Sequence, residues 1–233
     1  MHRFSIKNNN GKIAFSSTDM HHIIVVLRKK INSILHCVDQ NDCLIKVKLI
    51  SIKPFNVEIV ELKKIDNLTI SNVNVFLGVI KKKNFELLIK FLNEMNVNSL
   101  TPVIFSRSQN NINYDKKRIE TILVESCKQS NRIKPMIVND ALVYFDFLNK
   151  IKGKQNYFAN EKEKSNSFLK LNCKIKEDIN LIIGPEGGFT TTEINEISKI
   201  SLSVSLGANI LRSETAAIYM SAVFLEKEKY CEE

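Results

Sequence analysis

The sequence predicts an α/β protein with a mostly parallel sheet, preceded by a small β domain. Three observations carry that prediction. From about residue 71 onward, apolar strand-like runs alternate with stretches of helical periodicity, the pattern of a parallel sheet flanked by helices. Before residue 70, short segments alternate apolar and polar residues or are rich in Val and Ile. Near the C-terminus two glycine-bearing segments, LIIGPEGGFTTTE (181–193) and LGANILRSETA (206–216), each join a strand to a helix. The expected organisation is a small β-barrel over residues 1–70 and an α/β domain over residues 71–233.

In the first region the strands fall at IAFSS (13–17), CLIKVKLISI (43–52) and FNVEIVEL (55–62). One helix interrupts them. Asp19 is placed to cap it, and HHIIVVLRKK (21–30) follows. In the second region VNVFLGVI (73–80) is a continuous apolar run, as expected of a strand buried on both faces. A helix over FELLIKFLNEM (85–95), a strand over SLTPVIF (99–105) and an amphipathic helix over KKRIETILVESCKQS (116–130) come next. PMIV (135–138) reads as a short strand. The polar, Lys-rich stretch from Asn149 to Lys176 reads as a loop holding one strand, NYFA (156–159). INLIIG (179–184), a helix over 191–200, SVSLG (203–207) and a last helix from about 214 complete the order.

Composition excludes several classes. No run of about 18 apolar residues suggests a membrane-spanning helix. The opening MHRFSIKNNNGK lacks the apolar stretch of a secretory signal, so a cytoplasmic protein is expected. The 5 cysteines form no C-x-x-C pair, which argues against a disulfide framework or a zinc site. His2, His21, His22 and His36 lie near only Cys37 and Cys43 and fit no ligand spacing, so no metal is expected. The net charge of +9 suits a polyanionic partner. The richness in Lys, Asn and Ile equally fits an AT-rich genome, so the charge alone weighs modestly.

The chemistry concentrates in the two glycine segments. Gly184, Gly187 and Gly188 within five residues allow positive φ and close approach of a ligand to bare backbone. Thr190 and Glu193 have the spacing of a capping box, so a helix should start there. A glycine turn between a strand's end and a helix's start is where α/β proteins bind nucleotides, although a plain tight turn has the same pattern. Neither a P-loop nor G-x-G-x-x-G is present. In the second segment Ser213 and Glu214 suit a helix start. Ile210 and Leu211 are apolar residues in a loop; they either cover the core or line an adenine slot.

Together, G-P-E-G-G-F-x-x-x-E and S-L-G-x-x-I-L-R-x-E-T-A resemble the bacterial ribosomal RNA methyltransferases that modify the 3-position of uridine in small-subunit (16S) RNA, members of the knotted SPOUT class. HHIIVVLRKK resembles that family's H-H-x-x-x-V-L-R signature. The stretch Phe76 to Ser108 and the run Glu125 to Arg132 resemble two further blocks. The blocks run in order along nearly the whole chain.

The resemblance implies a PUA-like RNA-binding β-barrel and an α/β domain with a deep trefoil knot. It implies S-adenosylmethionine as cofactor, 16S rRNA of the small ribosomal subunit as partner, and a homodimer. Carried over by position, Gly184, Glu186, Gly187, Gly188, Leu206, Gly207, Ile210, Leu211 and Thr215 would bind the cofactor. Arg28, Arg107, Gln129 and Arg132 match positions facing RNA or the dimer interface, and Lys29 and Lys30 extend the basic step at Arg28. Arg212 would stabilise a developing uracil anion, and Glu186 or Glu214 would accept the proton. The chain departs from the pattern at Ala208 and Asn209, where the family often has Pro and a basic residue. Phe91 stands where Lys is frequent. Asn96 replaces a glycine, a mild change because Asn tolerates the left-handed conformation.

Overall fold

Elements are assigned here from a computed structural model of the chain, which describes residues 3–9, 11–41, 43–64, 72–109, 114–171 and 178–230, the last three without their side chains. The chain divides into two units. The first holds residues 1–69 and 124–134, the second 70–123 and 135–233. The expected boundary near residue 70 lies outside the described residues.

The first unit contains β1 (Arg3–Ser5), β2 (Lys7–Asn9), β3 (Lys12–Ala14), α1 (Ser17–His21), β4 (Ile34–Val38), β5 (Leu44–Ile52) and β6 (Phe55–Lys63). β1, β4, β5 and β6 form one sheet in that order, and β2 pairs with β3. Alternation works as expected on β5, where Ile45, Val47 and Leu49 are buried. The strand expected over 13–17 ends at Ala14, because Ser16 turns to cap α1 and its hydroxyl accepts from the Asp19 amide at 3.0 Å. Asp19 is therefore not the cap but a first-turn residue. Its carboxylate meets Lys128 Nζ, in the same unit, at 2.7 Å. Within this unit the Arg3 guanidinium also donates to the Asn131 carbonyl.

The helix expected through Lys30 is shorter. α1 passes into one π-helical turn over His22–Val26, and Arg28 has φ of 49°. Four consecutive β-branched residues, Ile23 to Val26, resist continued α-helix, and only Ile23 is buried.

The second unit is a parallel sheet. Its strands are β7 (Val73–Gly78), β8 (Ser99–Ile104), β9 (Ile137–Val138), β10 (Leu142–Val143), β11 (Gln155–Ala159), β12 (Ile179–Ile183) and β13 (Leu202–Val204). The order is β10-β8-β7-β12-β11-β13, with β9 also on β8, and every pairing is parallel. The helices are α2 (Lys82–Glu94), α3 (Lys116–Ser130), α4 (Tyr144–Ile151), α5 (Thr191–Ile197) and α6 (Ser213–Tyr230). One apolar cluster joins β7, α2 and α6; another gathers Phe105, Phe147, Phe158 and Ile197. β12 is buried at every position, as its continuous apolar run predicts.

Two elements were not legible. α4 stands in and before the stretch expected to be loop, anchored by Phe147 and Ile151 four residues apart. β10 is only two residues long. Asn96 does take φ of 71°, the left-handed conformation foreseen for it. Across the sheet, Asn156, Asn180, Asn74 and Ser99 stand in register on neighbouring strands. Asn180 donates to Asn156 Oδ1 at 2.7 Å, and Asn156 donates to the carbonyls of Ile151 and Ile200 at 2.8 Å each. These buried amides are satisfied, so they hold the amino ends of the strands in one register.

Candidate cofactor and substrate cavity

At the opposite, carboxyl ends of the strands lies a cavity of about 520 Å³. β12 delivers Ile183 and Gly184 to it, β11 delivers Ala159 and Asn160, and the chain leaving β13 delivers Ser205 and Leu206. This is where open α/β sheets bind ligands.

The first glycine loop is built tightly. The capping box is present: the Glu193 amide donates to Thr190 Oγ1 at 3.2 Å, and the Thr190 amide donates to Glu193 Oε2 at 2.7 Å. Glu193 Oε1 accepts from the Ser106 amide at 2.8 Å, tying the loop after β8 to α5. Burial pushes the Glu193 carboxyl up, but the amides of Ser106 and Thr190 outweigh it and hold it below its ordinary value. Gly188 has φ of 69°, where a side chain is disfavoured. A Cβ on Gly187 would stand 3.0 Å from Arg107 Cβ and 3.2 Å from its carbonyl oxygen. Gly78, at the end of β7, is tighter still: a Cβ there would lie 2.3 Å from the Pro185 nitrogen. Sequence reasoning missed Gly78, because a glycine ending an apolar strand carries no pattern of its own.

The second loop is open. Leu206 and Leu211 pack against the core, whereas Ile210 is 79% exposed. Both residues of the apolar pair line the cavity, and Leu211 also covers the core.

Charged groups surround the space. Lys81 Nζ lies 3.9 Å from Glu186 Oε2, and Gln109 Nε2 donates to that oxygen at 3.1 Å. Asn84 Nδ2 donates to Glu214 Oε1 at 3.2 Å, while Glu214 Oε2 is buried with no partner among the described residues. Arg107 donates to the carbonyls of Gly187 and Phe189 at 3.3 and 3.4 Å.

Most of the residues singled out in the sequence meet here. Gly184, Glu186, Gly188, Leu206, Gly207, Ile210, Leu211, Arg212 and Glu214 line the cavity, with Ala208 and Asn209 among them. Gly187 and Thr215 do not line it. Gly187 instead packs on Arg107, and Thr215 is exposed in the first turn of α6. Arg107 lines the cavity and stands in the second unit. Arg28, Lys29, Lys30, Gln129 and Arg132 belong to the first unit. The first four are exposed; Arg132 is half-buried, donates to the Lys134 carbonyl, and has its pKa pulled down to about 10 by burial. The segment EKEK (161–164), which reads as a solvated loop, instead contributes Glu161 and Lys162 to the cavity wall. Lys81 and Asn84 also line it; Lys81 opens a basic run, Lys81–Lys83, after a buried strand. Among the described residues no cluster of His, Cys, Asp and Glu could hold a metal, and no helix is long and apolar enough to cross a membrane.

A parallel α/β sheet with a glycine-lined cavity at its carboxyl edge defines a nucleotide-cofactor-binding α/β protein. Comparison with known proteins specifies the kind. The chain belongs to the RNA methyltransferase domain family, whose model matches residues 67–225. It is 33% identical to the ribosomal RNA small subunit methyltransferase E of Rickettsia conorii, over 96% of this chain and 93% of that one. It is also 33% identical to the protein of the same name from Mesomycoplasma hyopneumoniae, over 94% and 97% of the two chains. Among solved structures, a ribosomal RNA small subunit methyltransferase E from Neisseria gonorrhoeae, bound to S-adenosyl methionine, shares the fold. That match has a TM-score of 0.79 at 22% identity and covers 98% of each chain.

Proposed function

We propose that this protein transfers a methyl group from S-adenosylmethionine to the 3-position nitrogen of a uridine in 16S rRNA. The observation that carries the reading is the cavity itself. Its two glycine loops are the segments that match the methyltransferase pattern, and they close on one space of nucleotide size. The residues suit the cofactor. The turn from Gly184 to Gly188 offers bare backbone to polar edges, Ile210 and Leu206 offer apolar surface to an adenine, and the unpartnered Glu214 Oε2 lacks a donor.

When bound, the cofactor supplies an activated methyl on sulfonium. The chain's own groups then have two tasks, because uracil nitrogen carries a weakly acidic proton. Arg212, exposed at the cavity, stabilises the negative charge that develops on the uracil carbonyls. Glu186 or Glu214 accepts the proton, directly or through water. Positioning supplies much of the remaining rate.

The first unit is the RNA-binding module of this reading, a PUA-like β domain. Exposed Arg28, Lys29, Lys30 and Gln129 contact phosphates, with Arg132 close after Gln129 in sequence. The knotted topology of the second unit, a homodimer and a cytoplasmic location complete the proposal. The test is direct. The protein is incubated with labelled S-adenosylmethionine and small ribosomal subunits from a strain lacking the activity, and the labelled base is mapped. Label on N3 of one uridine is the expected result; no label in uridine rejects the reading.

A further inference from the structure

Beyond the two glycine loops, a third segment forms the cavity wall. Ala159, Asn160, Glu161 and Lys162 line it, although the stretch has the composition of a solvated loop. This segment is a built turn. The Asn160 amide donates to the Val204 carbonyl at 3.0 Å, and Asn160 Nδ2 donates to Ser203 Oγ at 3.0 Å. The Lys162 amide donates to Asn160 Oδ1 at 3.1 Å. Glu163 Oε1 accepts from the amides of Ser165 and Asn166 at 2.8 and 3.1 Å, and those bonds hold its carboxyl below the usual range. The Ser205 amide then donates to the Asn166 carbonyl at 2.8 Å, closing the turn onto the chain leaving β13.

The turn thus fixes the backbone that carries Lys162. Four cationic side chains line the cavity. Lys81 faces Glu186, and Arg107 is engaged by the carbonyls of Gly187 and Phe189. Arg212 is next but one to Glu214 and has the charge-stabilising role argued above. Lys162 is exposed, and its ammonium has no ion pair or hydrogen bond among the described residues. An exposed cation on a backbone fixed by hydrogen bonds is suited to a polyanion, because no backbone ordering adds to the side-chain entropy that a phosphate contact costs.

The geometry points to Lys162 as a substrate-contact residue that binds a backbone phosphate of the RNA strand whose base enters the cavity. It lines the same cavity as Asn209, a neutral position of the second glycine loop. This inference rests on the proposed RNA substrate.

The test is binding of the full-length protein to purified 16S rRNA over a range of salt concentrations, in parallel with S-adenosylmethionine binding. Loss of one phosphate contact weakens RNA binding about four- to fivefold near 0.15 M salt and lowers the salt slope by about 0.7–0.9. Lys162→Ala should show that loss, Lys162→Arg should match the wild type, and Lys162→Glu should bind more weakly than the alanine variant. Cofactor affinity should stay the same in all three. An unchanged slope across the series would overturn the assignment, as would a loss of cofactor affinity in place of RNA affinity, which would move Lys162 to the cofactor's carboxylate. Methyl transfer is measured separately. A wild-type protein that binds RNA in this order but labels no uridine would reject the proposed reaction and leave the role of Lys162 standing.

Discussion

The two glycine loops look alike in sequence and differ in construction. The loop after β12 is held on three sides: by Gly78 beneath Pro185, by Arg107 on the carbonyls of Gly187 and Phe189, and by Glu193 bridging Ser106 and Thr190. The loop after β13 has weaker ties. The Gly207 amide reaches Ser205 Oγ at 3.4 Å, and Gly207 to Ile210 are all exposed. One wall of the cavity is therefore pre-formed. The other is exposed and less tied, so any tightening of it around a ligand would draw on the binding free energy.

The largest effect belongs to the rigid wall. In Gly78→Ala the new Cβ would meet backbone atoms of Pro185 at 2.3 and 2.7 Å, and neither can swing aside. Overpacking of this kind typically costs about 1–3 kcal/mol, and backbone contacts place this case at or beyond the upper end. Thermal melting should drop by roughly 6–12 °C for a chain of this size, with cofactor binding lost. A variant that melts like the wild type would show that the first loop can move, and the contrast between the walls would fail. Next comes Arg212→Ala. Removing one preorganised charge-stabilising donor typically lowers kcat by about 10²–10³-fold. Because Arg212 is exposed, the melting temperature should stay put. Near-normal turnover on the true substrate would remove Arg212 from the chemistry.

This contrast was only half legible in the sequence. Gly184, Gly188 and the Thr190–Glu193 box announce a strand–turn–helix, because positive φ and capping are local and leave local signatures. The partners that stiffen the turn do not. Gly78, Ser106 and Arg107 come from two other strand ends, brought close only by the parallel pairing of β12 with β7 and of β7 with β8. Periodicity found the long strands and α3, whose ends agree with the expected 116–130. It failed at α4, eight residues held by Phe147 and Ile151, and at the helix after Asp19, where β-branched residues break the α pattern. Lys162 was hidden for a different reason. A polar turn bound to a neighbouring strand by Asn160, Glu163 and Asn166 has the composition of a free one.

The open wall offers a smaller and opposite test. Ile210 is 79% exposed, so Ile210→Ser should leave the melting temperature of the free protein unchanged. Covering that side chain with an adenine buries apolar surface on both partners. Its loss should weaken S-adenosylmethionine binding by about tenfold, on the scale of 1.4 kcal/mol. Titration calorimetry reads both the affinity and the heat-capacity change, which should become less negative. Unchanged affinity would mean that the second loop does not close over the cofactor.

The smallest effect is a dependence on acid, and it belongs to the rigid wall alone. Glu193 is held below its ordinary value when folded, so it stabilises the fold fully above the unfolded value of about 4.3. That contribution is lost as the pH falls through the lower folded value. Glu193→Gln keeps the shape of the side chain but leaves one neutral oxygen to accept, so one of the Ser106 and Thr190 amides faces an NH2 donor in place of a carboxylate oxygen. It should cost about 1 kcal/mol at neutral pH, roughly 2–4 °C in melting temperature. Below pH 4 the gap to the wild type should narrow, since the wild-type carboxylate is then protonated as well. If the gap instead stayed constant with pH, the bridge from α5 to the loop after β8 would owe its strength to shape and not to charge, leaving Gly78 and Arg107 as the electrically neutral and cationic supports of the first loop.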